Sequence, residues 1–179
     1  MKPALLVIDV QRGLFEPQPR PFEADAVLGR IRGLVARARR AGAPVVYVQH
    51  QGKGGFLTEG SQDWQLELSL DVQPGDTVLH KTTPDSFLRT PLAEHLAQWG
   101  CDRLVICGYA TEYCVDTTTR RALAQGFPVT LASDAHTTHD AAHASAALIR
   151  AHHNATLSNI QSFGPRVQAV PADTVAFAD

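Results

Sequence analysis

Short apolar runs recur along the chain and alternate with longer stretches of helical periodicity. The runs have the length of β-strands and lie at residues 4–8, 45–48, 77–79, 104–107, 129–131 and, more weakly, 167–170. Strands that alternate with helices are typical of βαβ units, which build a parallel sheet with helices on both faces. The pattern therefore predicts an α/β fold, a doubly wound, Rossmann-like open sheet of about six parallel strands.

Four stretches between these runs have helical spacing. The first covers residues 23–40 and ends before Ala41-Gly42-Ala43-Pro44, which combines a glycine stop with a proline. The others are predicted at 90–100 with Thr90 as N-cap, at 111–126 with Thr111 as N-cap, and from about 140 to 152. Residues 51–62 are mostly polar and include four glycines, so they are predicted to form a mobile surface loop.

Length and composition narrow the class of protein. The 179 residues suit one domain, 1–179. The 16 basic and 18 acidic residues give a net charge of −2, and the basic ones cluster only at 37–40, which excludes a nucleic-acid footprint. No apolar run approaches the roughly 18 residues of a membrane span, and the N-terminal run is too short for a signal-peptide core. We expect a cytoplasmic protein without a nucleic-acid or membrane partner.

The three cysteines, Cys101, Cys107 and Cys114, fit neither a zinc site nor a disulfide framework and suit a reducing compartment. Cys114 lies where a loop is predicted to turn into a helix. A helix N-terminus offers free backbone amides and the positive end of the dipole, and both favour a thiolate. Cys114 is therefore a candidate nucleophile, although a buried, inert cysteine fits the local pattern equally well.

Two charged residues come at the ends of predicted strands: Asp9 after the first and Lys81 after the third. Doubly wound sheets bind ligands at the carboxyl ends of their strands, so we expect both residues to approach Cys114. Lys81 offsets the burial of Asp9 and favours a thiolate, which predicts alkylation of Cys114 well below about pH 8. Together the three provide a base, an electrostatic anchor and a nucleophile. The alternative is an ion pair at the sheet edge with an unrelated cysteine.

These residues belong to motifs that resemble the isochorismatase-like cysteine hydrolases over about three quarters of the chain. The matching motifs are Ile8-Asp9-Val10-Gln11 with Phe15, Asp76 with Val78 and Lys81, Ser86-Phe87 with Thr90 and Leu92, and Gly108-Tyr109-Ala110-Thr111-Glu112-Tyr113-Cys114-Val115 with Thr118 and Arg120. The resemblance implies a Rossmann-like sheet, hydrolysis of amide or related C–N bonds, a cis peptide ahead of Ala110, and a homodimer or homotetramer.

The resemblance also implies roles for individual residues. Cys114 would attack the substrate carbonyl, Asp9 would move the proton, and Lys81 would hold the charges in place. The backbone amides of Ala110 and Cys114 would form the oxyanion hole. Four aromatic residues flank the motifs and are predicted to line the substrate pocket, although the last of them also fits a core position: Phe15, Tyr109, Tyr113 and Trp64.

The histidines raise the question of a metal. The nicotinamidase branch of the family carries an Asp-x-His metal motif after the second strand, where this chain has Gln49-His50-Gln51. We therefore expect no metal and no other cofactor. A weaker alternative is a site that combines His50 with His139 and His143, which are four residues apart on a predicted helix.

The sequence thus predicts a metal-independent cysteine hydrolase of a small amide, ureide or carbamoyl compound, with a thioester intermediate. Isochorismatase activity is less favoured, because family members that cleave the vinyl ether of isochorismate generally lack the cysteine. Nicotinamidase activity is less favoured because the metal motif is absent. A different class, a noncatalytic small-molecule-binding or thiol redox-sensing α/β protein, stays open. Specificity is expected in the loops at 16–22, 51–62 and 137–143.

Overall fold

The computed structural model describes residues 2–178 and contains one sheet of six parallel strands in the order β3-β2-β1-β4-β5-β6. The order reverses between β1 and β4, which makes the fold doubly wound and confirms the predicted class. The strands are β1 Pro3–Ile8, β2 Val45–His50, β3 Thr77–Lys81, β4 Arg103–Tyr109, β5 Val129–Thr137 and β6 Val167–Val170.

In the described part of the chain, five α-helices connect and cover the strands: α1 Arg12–Phe15, α2 Ala24–Arg40, α3 Leu92–Trp99, α4 Asp116–Ala124 and α5 Ala146–Asn159. Short 3₁₀ turns lie at Leu68–Leu70 and Ala172–Thr174, and a π-helical turn at Thr111–Val115 precedes α4. No helix within residues 2–178 combines the length and the apolar composition needed to cross a membrane.

Strand β1 lies in the middle of the sheet, and its side chains contribute to a hydrophobic cluster on each face. Its side chains alternate, so Leu5 and Val7 pack under α2, whereas Leu6 and Ile8 pack with residues of α3, α4 and α5. All four side chains are fully buried. A buried Leu, Ile or Val side chain contributes about 1.5–3 kcal/mol, and this double-sided burial explains why β1 reads as a continuous apolar run.

Strand β5 is longer than the predicted run at 129–131. It continues through Asp134 and His136 to Thr137, after a shift in register against β4 between Ile106 and Gly108. Polar residues interrupt the apolar pattern there, which is why the prediction ended early. Residues distant in the sequence provide their hydrogen bonds: the Asp134 carboxylate accepts from the amide of Ala172, and both ring nitrogens of His136 are hydrogen-bonded.

Three helix predictions were wrong. Helix α3 begins at Leu92 with Pro91 in the cap position, so Thr90 is not its N-cap. The last helix begins at Ala146 rather than near residue 140, because Ser145 caps it by accepting from the amide of Leu148 and the preceding residues form an irregular turn. His139 and His143 therefore lie on a loop and share no helix face. Thr111 is not an N-cap, because its hydroxyl pairs with His136 instead.

Gly108 occupies the place where β4 approaches β1 most closely. It is the register partner of Ile8 and has a φ of +117°, in a region that L side chains rarely adopt. A Cβ atom there would lie 2.1 Å from the carbonyl oxygen of Ile8. Only glycine allows the strand to pass this point and enter the segment that carries Cys114.

We expect Gly108→Ala to lower the free energy of unfolding by at least about 2–3 kcal/mol, because a backbone atom blocks the new methyl group. Gly42→Ala is the matched control, since Gly42 also has a positive φ but nothing lies within 4 Å of its Cβ position. Its cost should be about 1 kcal/mol. Urea unfolding of the two variants measures the difference, and equal losses would contradict the steric argument.

Candidate active site

Three elements bring Asp9, Lys81 and Cys114 to the carboxyl edge of the sheet. Asp9 follows β1 with a left-handed backbone, and its amide still donates to the carbonyl of Val48 on β2 (2.8 Å). Lys81 is the last residue of β3, and its side chain crosses the end of β2 to reach Asp9. Cys114 lies in the π-helical turn that follows β4.

The Lys81 ammonium group is the centre of the site. Its Nζ lies 2.7 Å from Asp9 Oδ2 and 3.2 Å from Cys114 Sγ, so it contacts both predicted partners. Lys81 is 1% and Asp9 2% exposed. A charge pair this deeply buried interacts strongly because water does not screen it.

His50 is a third acceptor, which the sequence left undecided. Its Nδ1 lies 3.1 Å from Lys81 Nζ. Burial, followed by the positive charge of Lys81, lowers the pKa of His50, so the imidazole is neutral and its Nδ1 accepts. An ammonium group has three N–H donors, and here each has one acceptor. The three contacts therefore fix the position of the Lys81 ammonium group between Asp9, His50 and Cys114.

Gln11 fixes the strand end that carries His50. Its Oε1 accepts from the amide of His50 (2.8 Å), and its Nε2 donates to the carbonyls of His50 (3.0 Å) and Trp64 (2.8 Å). Gln11 is fully buried, and no predicted role had been given to it. Its place two residues after Asp9 in the motif Ile8-Asp9-Val10-Gln11 was the available signal.

The thiol of Cys114 differs from the expectation of a stabilised thiolate. Burial, followed by the negative charge of Asp9, raises its pKa to about 12, and Lys81 only partly opposes this. The sequence predicted the opposite shift of the pKa, whereas here desolvation outweighs the nearby cation and the helix turn. A thiol with a raised pKa needs a base in order to react.

Asp9 is placed to be that base. A ligand oxygen of its carboxylate lies within 4.8 Å of Cys114 Sγ. Oδ2 is held by Lys81, whereas Oδ1 is buried and has no hydrogen-bond partner among residues 2–178. A buried carboxylate oxygen without a donor is costly, and a proton from the thiol would satisfy it.

A cavity of about 240 Å³ opens onto this cluster. Its walls combine the reactive groups with apolar side chains: Asp9, His50, Ala110 and Cys114 with Leu14, Leu57, Pro84, Tyr109 and Tyr113. Of the four predicted pocket residues, Tyr109 and Tyr113 line it. Phe15 is fully buried behind Tyr109, with ring centroids 5.9 Å apart, and Trp64 packs against His80. Neither of these two lines the cavity.

The segment between β4 and Cys114 has the backbone that the resemblance implied. The peptide bond between Tyr109 and Ala110 is cis. The Ala110 carbonyl accepts from the amides of Tyr113 and Val115, both at 3.1 Å, which closes the turn around Cys114. The Tyr109 hydroxyl is held by His139 Nδ1 at 2.9 Å, and the other ring nitrogen of His139 contacts the Pro19 carbonyl.

The donor set does not fit a catalytic metal. Ligand atoms of Asp9, His50 and Cys114 lie within 4.8 Å of one another. However, Lys81 Nζ is hydrogen-bonded to all three, so its ammonium group occupies the position where a metal ion would bind. At the metal-motif positions, Gln49 and Gln51 offer neutral amides, which are poor zinc ligands. The Gln49 amide is already used, since it donates to the carbonyl of Trp64.

The fold and this site together define the chain as a doubly wound α/β protein with a buried aspartate–lysine pair against a cysteine. The isochorismatase domain family matches residues 3–162. The chain belongs to the isochorismatase family.

Individual relatives support this assignment. A streptothricin hydrolase of Streptomyces noursei is 41% identical over 138 residues, 76% of this chain and 55% of that protein. The ureidoacrylate amidohydrolase RutB of Methylobacterium radiotolerans is 31% identical over 94% of this chain and 76% of its own. The crystal structure of an isochorismatase family protein has a TM-score of 0.85 and 34% identity, covering 94% of this chain and 97% of its own. The chain spans about half the length of the streptothricin hydrolases it matches.

We expect Asp9→Asn to speed alkylation of Cys114 at neutral pH and to abolish hydrolysis. Removing the neighbouring anion lowers the pKa of the thiol, while the proton acceptor is lost. Mass spectrometry of the Cys114 peptide after iodoacetamide treatment measures the rate against pH. Asp173→Asn, at an exposed position, is the control. A thiol that titrated higher in Asp9→Asn, with activity retained, would show that Asp9 is not the base.

Exhaustive treatment with EDTA should leave hydrolysis unchanged, because the ammonium group of Lys81 supplies the positive charge at the position where a metal would bind. The measurement is the turnover rate before and after chelation, with metal content determined in parallel. Loss of activity that one divalent metal restores would contradict the assignment.

Proposed function

We propose that the chain is a cysteine hydrolase that cleaves the C–N bond of a small amide, ureide or carbamoyl compound through a thioester-type intermediate. The contact of one buried ammonium group with both Asp9 and Cys114, at the base of a small cavity, carries this proposal. Two of the relatives described above are named a hydrolase and an amidohydrolase, which supports it.

The first half-reaction begins with proton transfer. Asp9 takes the thiol proton as Cys114 Sγ attacks the substrate carbonyl carbon. A C–S bond forms, and the oxyanion lies against the backbone amides of Ala110 and Cys114, one of which can contribute roughly 3 kcal/mol. Asp9 then returns the proton to the nitrogen, the C–N bond breaks, and ammonia or an amine leaves.

The second half-reaction reverses these roles. Asp9 takes a proton from water as the water oxygen attacks the thioester carbonyl carbon. The C–S bond then breaks, Asp9 returns the proton to the sulfur, and the products are the acid and the free thiol. Lys81 stays protonated through both halves, because its three donors are bound to three acceptors. Its charge compensates Asp9 when ionised and Cys114 when it becomes a thiolate.

The cavity favours a compact, uncharged substrate. Its volume of about 240 Å³ is below the range of drug-sized pockets, roughly 300–1,000 Å³. Among the described residues that line it, none is an arginine or a lysine, and the Lys81 ammonium group at its base is already paired with Asp9. Apolar contacts with Leu14, Leu57 and Tyr113 suit a short acyl group, and this argues against a dianion such as isochorismate.

We further propose that the chain acts in the cytoplasm, as one domain, in a homodimer or homotetramer. All three cysteines are free thiols, as expected in a reducing compartment. Large apolar side chains such as Leu148 and Phe163 are exposed, which suits contact with further copies. Light scattering that showed a monomer at working concentration would contradict the oligomer.

The central experiment measures release of ammonia from nicotinamide, propionamide, N-carbamoylglycine and ureidoacrylate, with wild type and Cys114→Ala. We expect hydrolysis of at least one compound and a loss of at least about 10³-fold in kcat in the variant, since Cys114 is the one thiol among the described residues that line the cavity. Hydroxylamine added during turnover should intercept the thioester as a hydroxamate.

Cys101→Ala is the matched control, because Cys101 is a buried cysteine away from the cluster and its loss should leave kcat unchanged. Turnover retained by Cys114→Ala would overturn the proposal. Oxidation of Cys114 without any hydrolysis would instead favour the redox-sensing alternative.

A further inference from the structure

Next to the π-helical turn that carries Cys114, a buried chain of hydrogen bonds runs from Thr111 to the backbone of β5. Thr111 Oγ1 lies 2.9 Å from His136 Nδ1, and His136 Nε2 lies 2.9 Å from Asn154 Oδ1. Asn154 Nδ2 donates to the carbonyl of Ser133 at 2.9 Å. Thr111 and His136 are fully buried. The chain joins three elements: the turn that carries Cys114, strand β5 and helix α5.

Only one direction of donation satisfies every member. The Ser133 carbonyl can only accept, so Asn154 presents its NH₂ group to it and its oxygen to His136. His136 therefore donates from Nε2 and accepts at Nδ1, and the Thr111 hydroxyl donates to that nitrogen. The reverse direction would place two carbonyl oxygens against each other. A protonated imidazole would donate from both ring nitrogens, and the Thr111 hydroxyl would then accept instead of donating.

The environment keeps His136 neutral. Burial, its largest influence, lowers the pKa of His136 to about 4, so the ring accepts from Thr111 at neutral pH. A buried polar residue is costly unless all its groups are paired, and here all are paired in one geometry. Such a chain specifies the position of its ends more narrowly than an apolar contact does.

We propose that His136 and Asn154 are positioning residues, which hold Thr111 and thereby align the Ala110 amide and the Cys114 thiol with the substrate carbonyl. Thr111 follows directly on Ala110 and opens the turn that ends beyond Cys114. A second tie supports the same turn, since Thr138 Oγ1 donates to Glu112 Oε1 at 2.9 Å. This inference rests on the proposed function, because alignment matters only if the thiol attacks a carbonyl.

The first test removes the hydroxyl without changing the shape of the side chain. Thr111→Val should lower kcat about 10- to 100-fold with little change in KM, because misplacement of reacting groups slows the chemical step. Thr111→Ser keeps the hydroxyl and should restore most of kcat. Thr119→Val is the control, since Thr119 is also buried near the turn but its hydroxyl has no partner within residues 2–178. A kcat at the wild-type level in Thr111→Val would overturn the proposal.

The second test changes Asn154, at the far end of the hydrogen-bond chain from Thr111. Asn154 is only half-buried, so Asn154→Ala should fold even if Thr111→Val does not. We expect a fall in kcat without a matching change in KM. In ¹⁵N-histidine NMR spectra, His136 should be the Nε2–H tautomer in wild type and a mixture in Asn154→Ala. A wild-type Nδ1–H tautomer, or an Asn154→Ala variant with normal kcat, would overturn the proposal.

Alkylation of Cys114 separates this inference from the proposed function, because it needs no substrate. The rate with iodoacetamide at fixed pH should change at least about threefold in Thr111→Val and stay near wild type in Thr119→Val, if the hydrogen bond sets the position of the thiol. Unchanged rates in both would overturn the positioning role, even if hydrolysis were established. If the alkylation rate changed in Thr111→Val but the protein hydrolysed none of the compounds, the positioning role would stand and the proposed hydrolase function would be refuted.

Discussion

The ammonium group of Lys81 is the interaction on which the site depends. A buried positive charge without partners would cost several kcal/mol, so the protein surrounds it with three acceptors on three different elements. Each contact orients its partner: the carboxylate of Asp9, the imidazole of His50 and the thiol of Cys114. In the proposed mechanism, this charge takes the place of a metal ion and stays in position while protons move between its partners.

The electrostatics of this cluster bear on how a half-buried thiol would act as the nucleophile in the proposed reaction. Burial and the negative charge of Asp9 together outweigh the attraction of Lys81, so the pKa of the Cys114 thiol is raised. The two groups share one ammonium, and transfer of the proton moves negative charge from one side of it to the other. Reaction therefore requires no additional charge to be buried, and the substrate amide receives the proton from the carboxyl group that took it.

Support for the cluster comes from residues that do not react. Gln11 fixes the end of β2, and Gly108 lets β4 pass Ile8 without a clash. The extension of β5 brings His136 and Thr138 against the turn that carries Cys114. A reactive group held by packed strands and paired polar side chains keeps its geometry better than one on a free loop.

Apolar periodicity and the charged residues at strand ends are local signals, and they were enough to predict the fold class and the association of Asp9, Lys81 and Cys114. The family resemblance came from the motifs, above all the one around Cys114. Features that depend on contacts between residues far apart in the sequence became visible only in the folded structure. Because of such contacts, β5 continues through polar residues and His50 lies against Lys81. Phe15 and Trp64, which were predicted to line the cavity, pack elsewhere. The raised pKa of Cys114 has the same origin, since desolvation arises from everything packed around a group and not from its neighbours in sequence.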